Sequence, residues 1–133
     1  MIIFLKNQRM IFMTLQILDI DFSILRLKSI PGDISAPFTF FTVTDREISL
    51  VCPTDSAPSE YEKKDDGWRG FRIEGVLDFS LIGILAEISG ILAENKIGIF
   101  VCSTYDTDYV FVKEFNFEKA ISALSSSGYI IER

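Results

Sequence analysis

Histidine is missing from all 133 residues of the sequence, and its absence excludes several classes of functional site at once. A chain without histidine has no Ser-His-Asp or Cys-His catalytic site and no histidine-ligated metal. Basic charge is also scarce, with 13 lysine and arginine residues against 19 aspartate and glutamate. The formal net charge of −6 makes nucleic acid or an anionic lipid surface a poor partner.

Cysteine is nearly as scarce, since the chain carries only Cys52 and Cys102. Two cysteines form neither a disulfide framework nor a zinc site by themselves. They also do not have the CxxC spacing of a redox pair, and each follows an apolar, strand-like run. We therefore interpret both as small buried hydrophobic residues.

Long hydrophobic runs and leader signals are absent too. The apolar stretch at residues 1–12 is interrupted by Lys6 and Arg9, and it is shorter than the roughly 20 residues that cross a bilayer. It has no small-residue cleavage site of a signal peptide. We interpret residues 1–12 as a ragged N-terminal extension and expect a cytoplasmic protein that binds no membrane.

The rest of the chain has the composition of a folded domain, and its second half has a clear order of elements. Hydrophobic periodicity and turn residues predict strand 68–74, helix 79–94, strands 97–102 and 109–113, helix 117–126 and strand 129–131. Asp78 and Ser80 are possible caps of the first helix, and Asn116 of the second. This is the ferredoxin-like βαββαβ order, with both helices on one face of a four-stranded antiparallel sheet.

Two glycines, Gly83 and Gly90, lie seven residues apart on one face of the long predicted helix. Each costs about 1 kcal/mol relative to alanine inside a helix. This cost indicates a close approach to another backbone, either the sheet or a second copy of the helix.

The first half reads as a shortened version of the second. Strands are predicted at 15–28, 38–44 and 47–52, followed by a short helix that Ser56 caps and Gly67 ends. Turns and hydrophobic runs repeat with an offset of 61 residues, and the loop 29–37 stands where the second half has its first helix. We therefore predict an α+β protein of two tandem units, a degenerate one at 13–67 and a complete one at 68–133.

Three segments also resemble the small bacterial ACT-domain proteins that are related to the CASTOR amino-acid sensors. They are Gly67–Leu85, Ile99–Lys113, and Val43–Thr44 together with Glu47–Cys52. The resemblance covers residues 15–132. It implies two tandem ACT units, of which the first is degenerate, and it implies an amino acid bound at an interface between units.

Two turns have the chemistry to bind an amino acid. The turn 75–80 leads into a helix, where free N–H groups suit a carboxylate. The turn 104–108 offers carboxylates and hydroxyls to an ammonium or guanidinium group. Carried over from the resemblance, the ligand-binding residues are Val76, Leu77, Asp78, Thr104, Tyr105, Thr107 and Asp108, with Ser49 and Leu50 as weaker candidates from the degenerate unit.

Some of these acidic residues also have a purely structural interpretation. Asp78 is a preferred helix cap, and Asp106 fits an Asx turn. Asp108 precedes a strand and has no such local role in the sequence, so it is the favoured ligand contact.

The sequence leaves two functional hypotheses open. The first is a regulatory module that binds an amino acid as a homodimer and passes the signal to an enzyme or transporter. The second is an interaction module whose pocket has been lost. The chain has no phosphate-binding glycine loop and no metal-ligand cluster, so we expect no enzyme, no cofactor and no metal site.

Overall fold

The computed structural model describes residues 2–4, 10–74 and 83–133, and these residues form an α+β fold. The strands are β1 (Ile2–Phe4), β2 (Met10–Phe12), β3 (Thr14–Leu27), β4 (Phe40–Val43), β5 (Ile48–Pro53), β6 (Lys63–Glu74), β7 (Phe100–Ser103), β8 (Asp108–Lys113) and β9 (Ile130–Glu132); the helices are α1 (Ile84–Glu94) and α2 (Glu114–Ser126). Neither described helix is long and apolar enough to cross a membrane.

The chain divides into two compact units. Met1–Asp19 and Arg69–Arg133 form the first, called here the helical unit because it contains α1 and α2. Ile20–Trp68 form the second, called the helix-poor unit. The long strands β3 and β6 each contribute residues to both units. The boundaries 13–67 and 68–133 of two tandem ACT units stay a prediction.

The helical unit has the element order that the sequence predicts, β6-α1-β7-β8-α2-β9. Both helices pack against the strands and share one apolar core. The core contains residues from β3, β6, α1, β8 and α2, namely Leu15, Ile17, Phe71, Ile73, Ile84, Ile88, Leu92, Val110, Val112, Phe117, Ala120, Ile121 and Leu124. Alternate residues of β6 and β8 face this core, as expected for strands covered by helices on one side.

The pairing of β9 differs from the predicted antiparallel sheet. β9 runs parallel to the beginning of β3, with Thr14 opposite Ile130 and Gln16 opposite Glu132. The Ile130 N–H donates a hydrogen bond of 3.0 Å to the carbonyl of Met13. The prediction was wrong here because the amino-terminal part of β3 was assigned only to the first half of the chain.

The helix boundaries also correct parts of the prediction. α2 begins at Glu114, three residues earlier than predicted, and its N-cap is Lys113 rather than Asn116. The carboxylate of Glu114 lies in the first turn, where it favours helix formation. α1 begins at Ile84, and its N-cap is Gly83 with a left-handed φ of 98°. The prediction of a helix from residue 79 with Gly83 in its interior is therefore wrong, and the predicted caps Asp78 and Ser80 lie outside the described residues. Gly90 is exposed, and a side chain there would meet nothing within 4 Å, so the predicted approach to the sheet is wrong.

The helix-poor unit is built on the strands β4, β5 and β3, in that order. Its core is small and contains Leu25, Leu27, Leu50 and Cys52. No helix occurs in residues 28–39, as the prediction of a degenerate unit requires.

The predicted short helix after Ser56 does not form. Only a 3-10 turn is present, Thr54–Ser56, and β6 begins at Lys63. The Ser56 hydroxyl donates back to the carbonyl of Pro53 at 3.1 Å instead of capping a helix that follows. Ala57 is extended because the ring of the next residue, Pro58, disfavours helical backbone at the residue before it.

The internal repeat is present as two hairpins, β4–β5 and β7–β8. Val43 pairs with Ile48 in the first, and Ser103 pairs with Asp108 in the second. The four residue pairs of each hairpin therefore correspond at an offset of 60, not at the predicted 61. The glycines at the predicted offset, Gly67 and Gly128, both have positive φ, at 80° and 98°.

Candidate functional site

The turn between β7 and β8 is a compact polar structure in the helical unit. The Thr104 N–H donates to the Thr107 carbonyl at 2.9 Å, and the Thr107 N–H donates to Thr104 Oγ1 at 3.3 Å. The Thr104 hydroxyl also donates to the Thr107 carbonyl at 3.0 Å. The side chain that organises this turn is therefore Thr104, although the sequence had suggested Asp106.

The same turn is attached to the end of β6. The Thr107 hydroxyl donates a 2.6 Å hydrogen bond to the carbonyl of Ile73. β6 ends one residue later, at Glu74, and the segment 75–82 that follows lies outside the described residues. Two predicted site residues, Thr104 and Thr107, are thus held beside the strand end that leads to the predicted turn 75–80.

Asp108 lies at the first position of β8 and is half-buried. Its partner across the hairpin is Ser103, whose hydroxyl donates to the Asp108 carboxylate. Asp108 therefore has a local partner that the sequence interpretation did not find. The signal that could have found it is the hairpin register, because a turn at 104–107 puts Ser103 opposite Asp108.

A second polar group near the end of β6 was also missed. Arg72 Nε lies 2.6 Å from Glu74 Oε1. The hydrogen bond to Glu74 and a second one to Tyr109 raise the pKa of Arg72 above its ordinary value. The guanidinium group of Arg72 therefore stays positively charged and is bonded to Tyr109, the residue that follows Asp108 in β8.

The other predicted site residues are dispersed. Tyr105 is fully exposed at the tip of the turn. Ser49 and Leu50 lie on β5 of the helix-poor unit, where Leu50 is buried in the small core and Ser49 pairs with Arg26. Val76, Leu77 and Asp78 lie outside the described residues.

Both cysteines are free thiols. Burial raises the pKa of Cys102 to about 11, and burial is also the main cause that raises the pKa of Cys52. A thiol with a raised pKa is protonated at neutral pH and is a weak nucleophile. Neither cysteine therefore has the low pKa of a reactive thiol.

Comparison with known proteins identifies the family. An ACT domain model matches residues 63–126, which span β6 to the end of α2. The crystal structure of protein Atu0741 from Agobacterium tumefaciens is similar over 92% of this chain and 93% of that chain, with 34% sequence identity and a TM-score of 0.82. The chain belongs to the ACT-domain family. This confirms the resemblance identified from the sequence.

Other similar proteins are more distant or much longer. The ACT-domain chain is 32% identical over 101 residues to the bovine cytosolic arginine sensor for mTORC1 subunit 1, from Bos taurus. The matched region is 71% of this chain but 31% of that protein, so the chain spans about a third of its length. The ligand-free regulatory subunit of aspartate kinase from Thermus thermophilus has the same fold, with a TM-score of 0.59 and 14% identity over 86% of this chain and 95% of that subunit.

Proposed function

We propose that this ACT-domain chain is a non-catalytic regulatory protein that binds an amino acid. The observation that carries the proposal is the 2.6 Å hydrogen bond from Thr107 to the end of β6. It holds the hydroxyl-rich turn 104–107 beside the strand that leads to Val76, Leu77 and Asp78. Those three residues precede α1, and their backbone N–H groups would bind the carboxylate of the ligand as successive amides of a turn do.

The charges near this turn suit the opposite end of an amino acid. The Ser103 hydroxyl donates to one oxygen of the Asp108 carboxylate. In this proposal the second oxygen accepts a hydrogen bond from an ammonium or guanidinium group of the ligand. Asp106 adds negative charge on the exposed part of the turn. The name of the bovine relative says that it senses arginine, a ligand with two cationic groups.

Tandem organisation and dimerisation are part of the same proposal. We propose two tandem ACT units, at 13–67 and 68–133, with Ser49 and Leu50 contributing from the degenerate one. The strand order ends at β7 in the helical unit, and such an edge is a natural place for a second copy to add a strand. A homodimer in the cytosol would then pass the signal to a separate enzyme or transporter.

The test is a thermal-shift screen of the native protein against the twenty amino acids, followed by the Asp108→Asn variant. A ligand at 100 times its Kd adds about 2.7 kcal/mol of stability, which raises the melting temperature measurably. Loss of a charge-assisted hydrogen bond of about 1.5–3 kcal/mol should weaken binding tenfold or more.

Asp106→Asn is the matched control, because it removes the same charge from the same turn without touching the Ser103 pair. It should change the Kd less than threefold. Equal affinities of the native protein and Asp108→Asn would contradict the proposed site. A particle of 15 kDa by light scattering at high concentration would contradict the homodimer.

A protein-interaction module whose pocket has been lost is the second candidate. It is favoured by two exposed aromatic side chains of the helical unit, Tyr105 and Phe115, the latter 83% exposed. Aromatic residues are enriched where proteins bind each other. If no amino acid shifts the melting temperature, this second function is the better description.

A further inference from the structure

The helix-poor unit contains a cavity of about 160 Å³ between the loop 31–39 and β5. Its wall includes Leu50 and Cys52. At the hairpin offset of 60 these residues correspond to Val110 and Val112, which belong to the core that α2 covers in the helical unit. The cavity therefore lies on the face of the β4–β5 hairpin that corresponds to the face of β7–β8 covered by α2.

The cavity wall contains a polar atom that the protein itself does not satisfy. Thr39 lines the cavity, and within the described residues its Oγ1 is buried without a hydrogen-bond partner. The residue before it, Phe38, has a φ of 61°, a backbone conformation that bulky side chains rarely adopt. An edge-to-face contact between the rings of Phe38 and Phe22 stabilises this conformation. Unsatisfied polar atoms and backbone strain of this kind concentrate at binding sites.

The charge of the wall is negative. Asp33 is the one charged side chain among the described residues that line the cavity. Its carboxylate accepts hydrogen bonds from the Ser35 hydroxyl at 2.7 Å and the Ser35 N–H at 2.9 Å. These bonds lower the pKa of Asp33, so the carboxylate stays ionised at neutral pH and favours a cation.

The size of the cavity sets how much of a ligand it can hold. A cavity of about 150 Å³ accommodates a molecule of the size of benzene, which has six heavy atoms. Ile34, Ala36 and Leu50 provide apolar surface for such a molecule. A free amino acid would also bring a carboxylate, for which the described lining residues include no cationic side chain.

We propose that this cavity binds a small aliphatic ammonium ion of about six heavy atoms. The ammonium group pairs with the Asp33 carboxylate, the alkyl group contacts Ile34 and Leu50, and the Thr39 hydroxyl gains a partner from the ligand. The site differs from the turn 104–108, because every residue that lines the cavity belongs to the helix-poor unit. Leu50 is the one residue that both proposals use, so Asp33 and Thr39 distinguish the cavity from the amino-acid site.

The experiment is an amide NMR titration of the full chain with three probes of matched shape: isopentylammonium, isopentanol and isovalerate. Isopentylammonium should give saturable shifts at Ala36, Thr39 and Leu50. Isopentanol, which has no charge, should bind about three- to fivefold more weakly, and isovalerate should not saturate. The proposal is overturned if isopentylammonium gives no saturable shift, or if isovalerate binds as tightly as isopentylammonium does.

Three variants separate a binding site from imperfect packing. Asp33→Asn should weaken isopentylammonium by about three- to fivefold, since Asp33 is exposed and solvent screens the ion pair, and it should leave isopentanol unchanged. Thr39→Val should weaken both ligands, yet leave the melting temperature unchanged or higher, because it removes an unsatisfied hydroxyl. Ala36→Leu should fill the cavity and abolish binding, with Ala86→Leu on the exposed face of α1 as its control.

The outcomes also distinguish this site from the proposed amino-acid site. Asp108→Asn should leave the affinity for isopentylammonium unchanged. If Ala36→Leu does not fold, the exposed Asp33→Asn substitution still decides the question. Unchanged affinity of Asp33→Asn for isopentylammonium would overturn the proposal.

Discussion

The two hairpins of this ACT-domain chain share one register but are continued in different ways. In both, the three central residues of the second strand are buried: Leu50, Val51 and Cys52 in β5, and Val110, Phe111 and Val112 in β8. β8 is followed directly by α2, which has 13 residues. β5 is followed by a 3-10 turn of three residues. A hairpin of this kind therefore folds with or without a helix after it.

Local sequence explains why only one hairpin is followed by a helix. Phe117, Ala120, Ile121 and Leu124 recur at helical spacing and are all buried. The segment after β5 has no such spacing, and Pro53 and Pro58 stand at its two ends. Proline has no N–H group and restricts the residue before it, so a helix cannot extend through Pro58.

A polar network occurs in the helix-poor unit beside the hairpin that has no helix. Ser23 is fully buried, and its hydroxyl donates to Asp66 Oδ1 at 2.5 Å. Its oxygen also lies 2.8 Å from Thr54 Oγ1. Because Ser23 has a single hydroxyl proton, Thr54 is the donor of this second bond. The network ties three segments of the unit together: β3, the 3-10 turn and β6.

The largest expected effect on stability comes from Gly70, which leaves room for the ring of Phe111 in the β7–β8 hairpin. A Cβ at Gly70 would lie 2.8 Å from Phe111 Cδ1. Gly70→Ala should therefore lower the free energy of unfolding by about 1–3 kcal/mol, as overpacking does. Urea denaturation would measure the change.

The first hairpin supplies the compensating substitution, because Val51 stands at the position that corresponds to Phe111. Gly70→Ala should cost much less in a Phe111→Val background. The double mutant should therefore lose less unfolding free energy than the two single mutants lose together. Gly98→Ala is the control, since a Cβ there meets nothing within 4 Å. Additive effects of the two substitutions would contradict the proposed clash.

The next effect concerns the polar network of the helix-poor unit. Ser23→Ala should cost about 1–2 kcal/mol of unfolding free energy, because Thr54 and Asp66 lose a buried partner. Ser35→Ala is the matched control, since its hydroxyl also donates to an aspartate, Asp33, but at an exposed position. If both substitutions cost the same in urea denaturation, the network does not stabilise the unit in the way described.

The fold of the helical unit could be predicted well because its signals are local. Apolar spacing marks α1 and α2, and the turn chemistry around Gly128 marks the end of α2. The pairing of β9 with β3 could not be predicted, because it joins residues more than a hundred positions apart. No periodicity in either strand specifies its partner.

The candidate site was predictable only in part. Thr104 and Thr107 were candidates through the family resemblance, and the structure holds both in one turn attached to Ile73. Ser103 was missed because its partner Asp108 lies across the hairpin, and Arg72 was missed because it bonds Tyr109 of β8 as well as Glu74 of its own strand. The cavity of the helix-poor unit was also missed, because a cavity arises from what a loop leaves unfilled and has no sequence pattern.

The smallest expected effect on stability comes from the ends of α1 and α2, the two helices of the helical unit. α1 and α2 end in the same hydrogen-bond pattern: the Ile97 N–H donates to the Leu92 carbonyl, and the Tyr129 N–H donates to the Leu124 carbonyl. The left-handed residue of this pattern is Gly128 after α2 but Lys96, with a φ of 59°, after α1. The residue before Lys96 is Asn95, whose side chain donates to the Ile91 carbonyl at 2.8 Å.

Lys96→Gly should therefore stabilise the protein, because glycine adopts positive φ without the steric cost that a lysine side chain imposes. The higher entropy of glycine in the unfolded chain offsets part of the gain, which leaves about 0.5–1 kcal/mol. Gly128→Ala, the matched change at the end of α2, should have the opposite sign and a similar size. Thermal unfolding of both variants would measure the difference. A lower melting temperature for Lys96→Gly would contradict this prediction. It would mean that the lysine side chain stabilises the end of α1 by more than the positive φ costs.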